Sequence, residues 1–189
     1  MDLRIETLTP SLATTYIDYI ENLGFEHEPH WATCFCRWYH TDCSMEDWRK
    51  RTGVENSEEA LAEITRGNMC GYLAFDQDKC IGWCNANNAR QFIRLKDHLE
   101  PLIEGKKIGC VICFIVHPEY RRRGVARQLL AQAITDFKNQ GYDGVLGLPV
   151  EIKDNPEKMY RGTAKMYDEQ GFRLLEQHDN VSVMFLELK

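Results

Sequence analysis

The sequence predicts a mixed α/β domain: a central β-sheet containing parallel strands, flanked by helices. Three observations carry this. Residues 108–116 and 145–150 are almost continuously apolar, as strands covered on both faces are, which is typical of parallel pairing. Between them, residues 125–139 repeat at helical spacing. Val125, Leu129, Ala133 and Phe137 form one row, with Ala126, Leu130 and Ile134 beside it. Further strand-like runs stand at both ends of the chain.

Each element has a local reason. Leu3 and Ile5 alternate with Arg4 and Glu6 in a half-buried strand over 3–8. Thr9-Pro10 reads as a cap followed by a first-turn proline, opening a helix to about Leu23. Residues 24–43 are irregular and rich in aromatic, Cys and His side chains. Ser44 and Ser57 are the expected caps of two helical segments, the second ending at Arg66-Gly67. Residues 70–75 and 81–85 read as strands joined by an Asp-Gln-Asp-Lys turn. Phe92, Leu95, Leu99 and Leu102 fall at helical spacing and place a short helix over 90–99. Gly141 ends the helix that begins at Val125. A further helix is expected over 157–170, stopped by Gly171, and a closing strand over 181–188. No repeat, low-complexity tract or linker divides the chain, so a single domain over 1–189 is expected.

With 189 residues, a chain of this size buries roughly 70% of its unfolded surface and needs no disulfide or metal to fold. The formal net charge of −6 argues against a nucleic-acid partner, which favours a basic face, and suits a cationic substrate. The opening Met-Asp-Leu-Arg-Ile-Glu has no basic start followed by an apolar run. No stretch reaches the roughly 20 apolar residues of a membrane span. The expectation is a cytoplasmic protein with no membrane partner. Its eight cysteines then read as thiols. Cys70, Cys80, Cys84, Cys110 and Cys113 lie in apolar runs and are expected as small core residues.

The chemistry concentrates in Val116-His-Pro-Glu-Tyr-Arg-Arg-Arg-Gly-Val-Ala-Arg127, where a buried strand turns through an Arg/Gly loop into an amphipathic helix. Gly124 lets a ligand approach the backbone without a Cβ in the way, and Ala126 is small for the same reason. The unpaired N–H groups of a helix start, with the positive end of its dipole, suit a pyrophosphate. Arg121, Arg122, Arg123 and Arg127 add positive charge in a chain that is acidic overall. From the residues alone the cluster is either an anion site or a solvated basic turn.

Arg121-x-x-Gly124-x-Ala126 after a hydrophobic strand resembles the acetyl-CoA signature of the GNAT superfamily of N-acetyltransferases. Met166-Tyr-Asp-Glu-Gln-Gly-Phe172 resembles its second signature, a helix ending in Gly-Phe before the last strands. The order of elements is similar over nearly the whole length. The resemblance implies a sheet whose two middle parallel strands splay apart where acetyl-CoA, the co-substrate, enters. Pro149 cannot donate to a ladder, so it either marks that splay or ends its strand. The resemblance further implies that Phe114, Ile115 and Val116 contact pantetheine. Arg121, Arg122, Arg123, Gly124, Val125, Ala126 and Arg127 would surround the pyrophosphate.

The implied reaction is direct acetyl transfer to an amine. An amine of pKa ~10.4 is about one part in a thousand neutral near pH 7, so its deprotonation matters. A backbone N–H near Ile115 or Val116 is the expected oxyanion donor, a contribution worth ~3 kcal/mol. Tyr167 stands where many members of the superfamily place the acid that protonates the thiolate, and the other role for it is an aromatic wall. Tyr160, where asparagine is frequent, and Gly162, at the usual helix start, depart from the pattern. No carboxylate lies within 108–116. Glu28, His117, Glu119 and Glu151 flank the predicted cleft edges, and a water relay is the alternative to all four.

Trp31-Ala-Thr-Cys-Phe-Cys-Arg-Trp-Tyr-His40 has three readings. It is an acceptor pocket, with Trp31, Phe35, Trp38 and Tyr39 offering aromatic faces to a cation. It is a zinc site of Cys34, Cys36, His40 and Cys43, although Cys-x-Cys fits the usual ligand spacing poorly. Or it is an aromatic cluster that orders a loop. With Trp83-Cys84 and Arg90-Gln-Phe-Ile-Arg-Leu95, it resembles a subgroup of the superfamily that names no substrate by analogy. Arg90 and Arg94 are either anion-binding or the solvated face of a helix. The function expected is acetyl transfer to a small-molecule primary amine, with a homodimer as the assembly left open. A protein N-terminal or lysine acetyltransferase and a non-catalytic acyl-CoA-binding module are the alternatives.

Overall fold

The computed structural model describes residues 2–25, 29–152 and 159–189. Strands β1 (Leu3–Thr7), β2 (Gly71–Asp76), β3 (Lys79–Asn88), β4 (Ile108–Val116), β5 (Gly144–Gly147), β6 (Arg173–His178) and β7 (Val181–Glu187) form one sheet. Their order is β1-β2-β3-β4-β5-β7-β6. β4 and β5 run parallel, and the other neighbours are antiparallel. This is the mixed, helix-flanked α/β sheet that the sequence predicts.

Two core layers sit on the two faces. Helices α1 (Ala13–Glu21), α2 (Met45–Lys50) and α3 (Gly53–Arg66) belong to one side, where Tyr16, Ile20, Ile64, Trp83 and Ile112 are buried together. On the other side α5 (Val125–Asn139) buries Val125, Leu129, Ala133 and Phe137 against Val111 and Val145. That row is the one the sequence predicts, and burying each larger side chain in it is worth roughly 1.5–3 kcal/mol.

The sheet opens between its parallel strands. β5 pairs with β4 for four residues, Ile108↔Gly144 to Val111↔Gly147. Beyond Gly147 the chain stays with β7: Ser182 N–H donates to the Pro149 carbonyl, and Val150 bridges Val181. The second half of β4 therefore has a strand on one side and a gap on the other. Pro149 lies two residues past the point of departure, so the splay and the strand end coincide.

Several elements differ from expectation. Ser57 lies inside α3, whose cap is Thr52. Thr52 and Glu55 form a capping box, with Glu55 N–H donating to Thr52 Oγ1 (3.2 Å) and Thr52 N–H to the Glu55 carboxylate (2.7 Å). The helix expected over 90–99 is displaced to α4 (Lys96–Ile103). Asn88 caps the Arg90 amide at 3.0 Å and coils residues 89–95 into short 3-10 turns instead. The helix expected over 157–170 shrinks to α6 (Ala164–Asp168), capped by Thr163, because Gly162 sits at φ +81° outside helical space. Its expected first residues fall outside the described ones. β6 is an additional strand at the sheet edge. Cys84, Cys110 and Cys113 are buried as expected, whereas Cys70 and Cys80 are half-buried.

Candidate active site

The gap beside β4 is where backbone chemistry is exposed. His117 N–H donates to the Ile81 carbonyl, and Trp83 stands opposite Ile115. In an antiparallel ladder this alternation turns the Ile115 amide toward β3 and the Phe114 and Val116 amides toward the gap. Of the two oxyanion donors left open by the sequence, Val116 is therefore the one aimed into it. The Phe114 amide is held by the Tyr160 carbonyl at 2.6 Å.

Beyond Val116 the loop reaches α5. Arg122 and Gly124 both adopt left-handed φ, +61° and +84°. Gly124 is the N-cap and offers no side chain to the helix start, and the first helical backbone bond runs from Gln128 N–H to the Gly124 carbonyl. The amides of Val125, Ala126 and Arg127 thus have no acceptor within the helix. Arg121 Nε donates to the Val116 carbonyl (3.3 Å), Arg123 lies over the Tyr120 ring (5.4 Å) and Arg127 pairs with Glu169 (2.5 Å). Amides without helical acceptors and a helix dipole, in a turn that carries Arg121, Arg122 and Arg123, together fit a pyrophosphate.

Tyr167 is fully buried. Its ring packs against Gly147, where an added Cβ would come within 2.2 Å of it, and against Phe114 and Phe172. Its hydroxyl donates to the Arg161 carbonyl at 3.1 Å. Burial pushes the phenol well above its ordinary pKa, so it holds its proton firmly. Residues 160–161 are thus tied to β4 by one carbonyl and to α6 by the other.

The aromatic segment divides. Tyr39 and Trp31 reach the gap: Tyr39 Oη bonds Tyr160 Oη (2.9 Å), and the Trp31 ring meets the Tyr160 ring at 5.3 Å. Phe35 is buried in the core, and Trp38 packs on Trp48 and under Arg94. The tyrosine faces are already engaged, since the Arg161 guanidinium lies 5.1 Å from the Tyr39 ring and 5.7 Å from the Tyr160 ring. Arg161 escaped the sequence reading because no local pattern marks it.

The polar residues of the segment also point apart. Cys36 Sγ accepts from Trp83 Nε1 at 3.2 Å, His40 Nε2 faces Asn85 Nδ2 at 3.1 Å, and Cys43 bonds Thr41 and Arg94. Among the described residues no three His, Cys, Asp or Glu side chains gather as a metal site. Arg94 donates to the carbonyls of Trp38 (2.8 Å) and Cys43 (2.7 Å), and Arg90 to those of Ile103 and Lys106. Arg94 thus staples backbone, whereas Arg90 does so from an exposed position where it also pairs with Glu100 (3.7 Å).

Of the base candidates, Glu28 lies outside the described residues, and Glu119 and Glu151 are exposed. His117 borders a cavity of about 280 Å³ beside α1, also lined by Tyr19 and Lys79. Partial burial, with the charge of Lys79 second, lowers its pKa.

The family model described as the acetyltransferase (GNAT) family matches residues 29–172. No curated protein matches the chain significantly. Among solved structures, the PaiA N-acetyltransferase from Thermoplasma acidophilum in complex with coenzyme A is 16% identical, with a TM-score of 0.58 over 99% of both chains. The polyamine N-acetyltransferase from Drosophila melanogaster, which forms N-acetylagmatine, is 11% identical, with a TM-score of 0.59 over 99% of this chain and 100% of that one. A putative acetyltransferase from Salmonella typhimurium with its cofactor acetyl-CoA is 14% identical, with a TM-score of 0.56 over 100% of this chain and 95% of that one. The split parallel pair, the Arg/Gly loop that follows it and a family match over most of the length make this chain a member of the acetyltransferase (GNAT) family.

Proposed function

We propose that the chain transfers the acetyl group of acetyl-CoA directly to the primary amine of a small molecule in the cytoplasm. The observation that carries this is the run of amides without helical acceptors at the start of α5, in an arginine-rich turn that follows the open half of β4. Acetyl-CoA supplies an activated acetyl thioester. Arg121–Arg123, Gly124–Ala126 and Arg127 hold its phosphates, and Ile115 and Val116 line its arm. The Val116 amide faces the gap and stabilises the developing oxyanion. Tyr167, whose proton is committed to the Arg161 carbonyl, acts as a wall that positions residues 160–161.

A small acceptor is supported by the way Trp31, Tyr39, Tyr160 and Arg161 draw together at the gap, where a peptide would need an open groove. Structural neighbours that act on polyamines are consistent with a small amine. No helix among the described residues is long and apolar enough to cross a membrane. The test is acetyl-CoA binding by calorimetry, followed by free-thiol release against a panel of amines and peptides. Amine-dependent thiol release is expected, strongest with small amines. Release with peptides alone would make the protein acetyltransferase the better reading, and binding without turnover would leave an acyl-CoA-binding module.

A further inference from the structure

Arg161 holds a half-buried positive charge that no carboxylate among the described residues offsets. Its Nε donates to Tyr39 Oη at 3.1 Å, and its Nη2 bonds the same oxygen. Its other neighbours are the Tyr160 hydroxyl and the faces of the Tyr39 and Tyr160 rings. Among the described residues no carboxylate pairs with it. Other inward-lying arginines are treated differently: Arg37 and Arg51 share Glu59, and Arg94 donates to the carbonyls of Trp38 and Cys43. Phenol oxygens and ring faces offset part of the cost of burying a guanidinium, and a carboxylate would offset far more.

Its position says which carboxylate is missing. Tyr160, one residue earlier, places its carbonyl on the gap-facing Phe114 amide and its ring against Trp31. Arg161 therefore stands at the inner end of the aromatic rim, between the gap and residues 31–39. Tyr39 and Tyr160 belong to the core layer of α1 and α3, whereas the Arg/Gly loop leads into α5 on the opposite face. An anion bound by Arg161 would therefore not be the pyrophosphate. A cationic acceptor fits poorly, because the ring faces that would receive it already lie beside a guanidinium.

We propose that Arg161 is a specificity residue that binds a carboxylate of the acceptor, so that the substrate class is an amino acid or a close derivative rather than a polyamine. A planar guanidinium, with its five fixed donors, is suited to a carboxylate beyond the two phenols it already meets. This rests on the acetyltransferase reading above.

The experiment compares amines that differ by one carboxylate: lysine with cadaverine, arginine with agmatine, tyrosine with tyramine. Thiol release from acetyl-CoA is measured after calorimetry has established acetyl-CoA binding. In at least one pair the amino acid is expected to show a kcat/KM at least tenfold above its decarboxylated partner, expressed mainly in KM. In Arg161→Gln that ratio should fall at least tenfold, with Arg161→Lys between the two. The wild-type comparison stands even if a variant fails to fold. Equal or inverted preference, an unchanged ratio in Arg161→Gln, or acetyl-CoA binding with no carboxylate-bearing acceptor would overturn the proposal. Absence of acetyl-CoA binding would overturn the acetyltransferase reading along with it.

Discussion

The amide of Phe114 donates to the carbonyl of Tyr160 at 2.6 Å, across the gap that β5 leaves beside β4. A sequence separation of 46 residues is closed by one backbone bond, and it fixes where residues 160–161 cross the open edge. Tyr160 thereby covers the gap at Phe114, while Val116 at the loop end stays turned toward it. Of the three residues expected along the cofactor arm, Val116 offers its amide, Ile115 gives its own to β3, and Phe114 is engaged by Tyr160.

The hydroxyl of Tyr167 holds the next carbonyl, that of Arg161. Tyr167→Phe should cost about 1 kcal/mol of stability, the worth of one hydrogen bond. It should raise KM for the acceptor severalfold and lower kcat by less than tenfold, because the loss loosens Arg161 rather than removing an acid. Steady-state kinetics of the variant checks this. A kcat loss above tenfold at unchanged KM would restore the acid role.

His40 predicts a pH dependence of stability. Its pKa is pushed down to about 4 by burial, with the charge of Arg37 second. Between about pH 6.5 and 4 the unfolded chain binds a proton that the folded protein refuses, so stability falls as the pH falls through that window and levels off below it. The loss is on the order of 3 kcal/mol. Urea unfolding of the wild type and His40→Gln between pH 7.5 and 4 should show the variant free of this component. Parallel pH profiles would contradict it.

Arg94 clamps the aromatic segment, stacking 3.6 Å from the Trp38 ring and donating to the Trp38 and Cys43 carbonyls. Arg94→Ala should cost about 2–3 kcal/mol, in line with charged hydrogen bonds. It should also open residues 29–43 to limited proteolysis. Lysine should rescue little, since it lacks the planar fork that reaches two carbonyls at once. Wild-type stability and protease resistance in Arg94→Ala would show that the clamp is incidental.

How much of this was legible in the sequence depended on where each signal resided. β4 and α5 match their expected bounds, Ile108–Val116 and Val125–Asn139, because a doubly covered strand and a one-faced helix write their burial into residue type. β6 was hidden because it is an edge strand exposed along most of its length, with Leu174 56% exposed, and its pairing with β7 is made by backbone. The Thr52 cap was masked by Gly53, which reads as loop. The Arg/Gly loop stood out as a knot of charge in an acidic chain. Arg161 did not, since what distinguishes it is its meeting with Tyr39, a residue far away in sequence, and the lack of a carboxylate partner among the described residues.

The measurement that bears most directly on the account is calorimetric titration of acetyl-CoA into the wild type and Gly124→Glu. A Cβ at Gly124 would meet no atom within 4 Å, so the variant's cost to the fold is backbone strain at φ +84°, on the order of 1 kcal/mol. The carboxylate would instead stand among the amides and arginines assigned to the pyrophosphate. The account predicts saturable binding to the wild type and affinity at least a hundredfold weaker in a folded Gly124→Glu. Equal affinity in the two proteins, or no binding to the wild type, would contradict it.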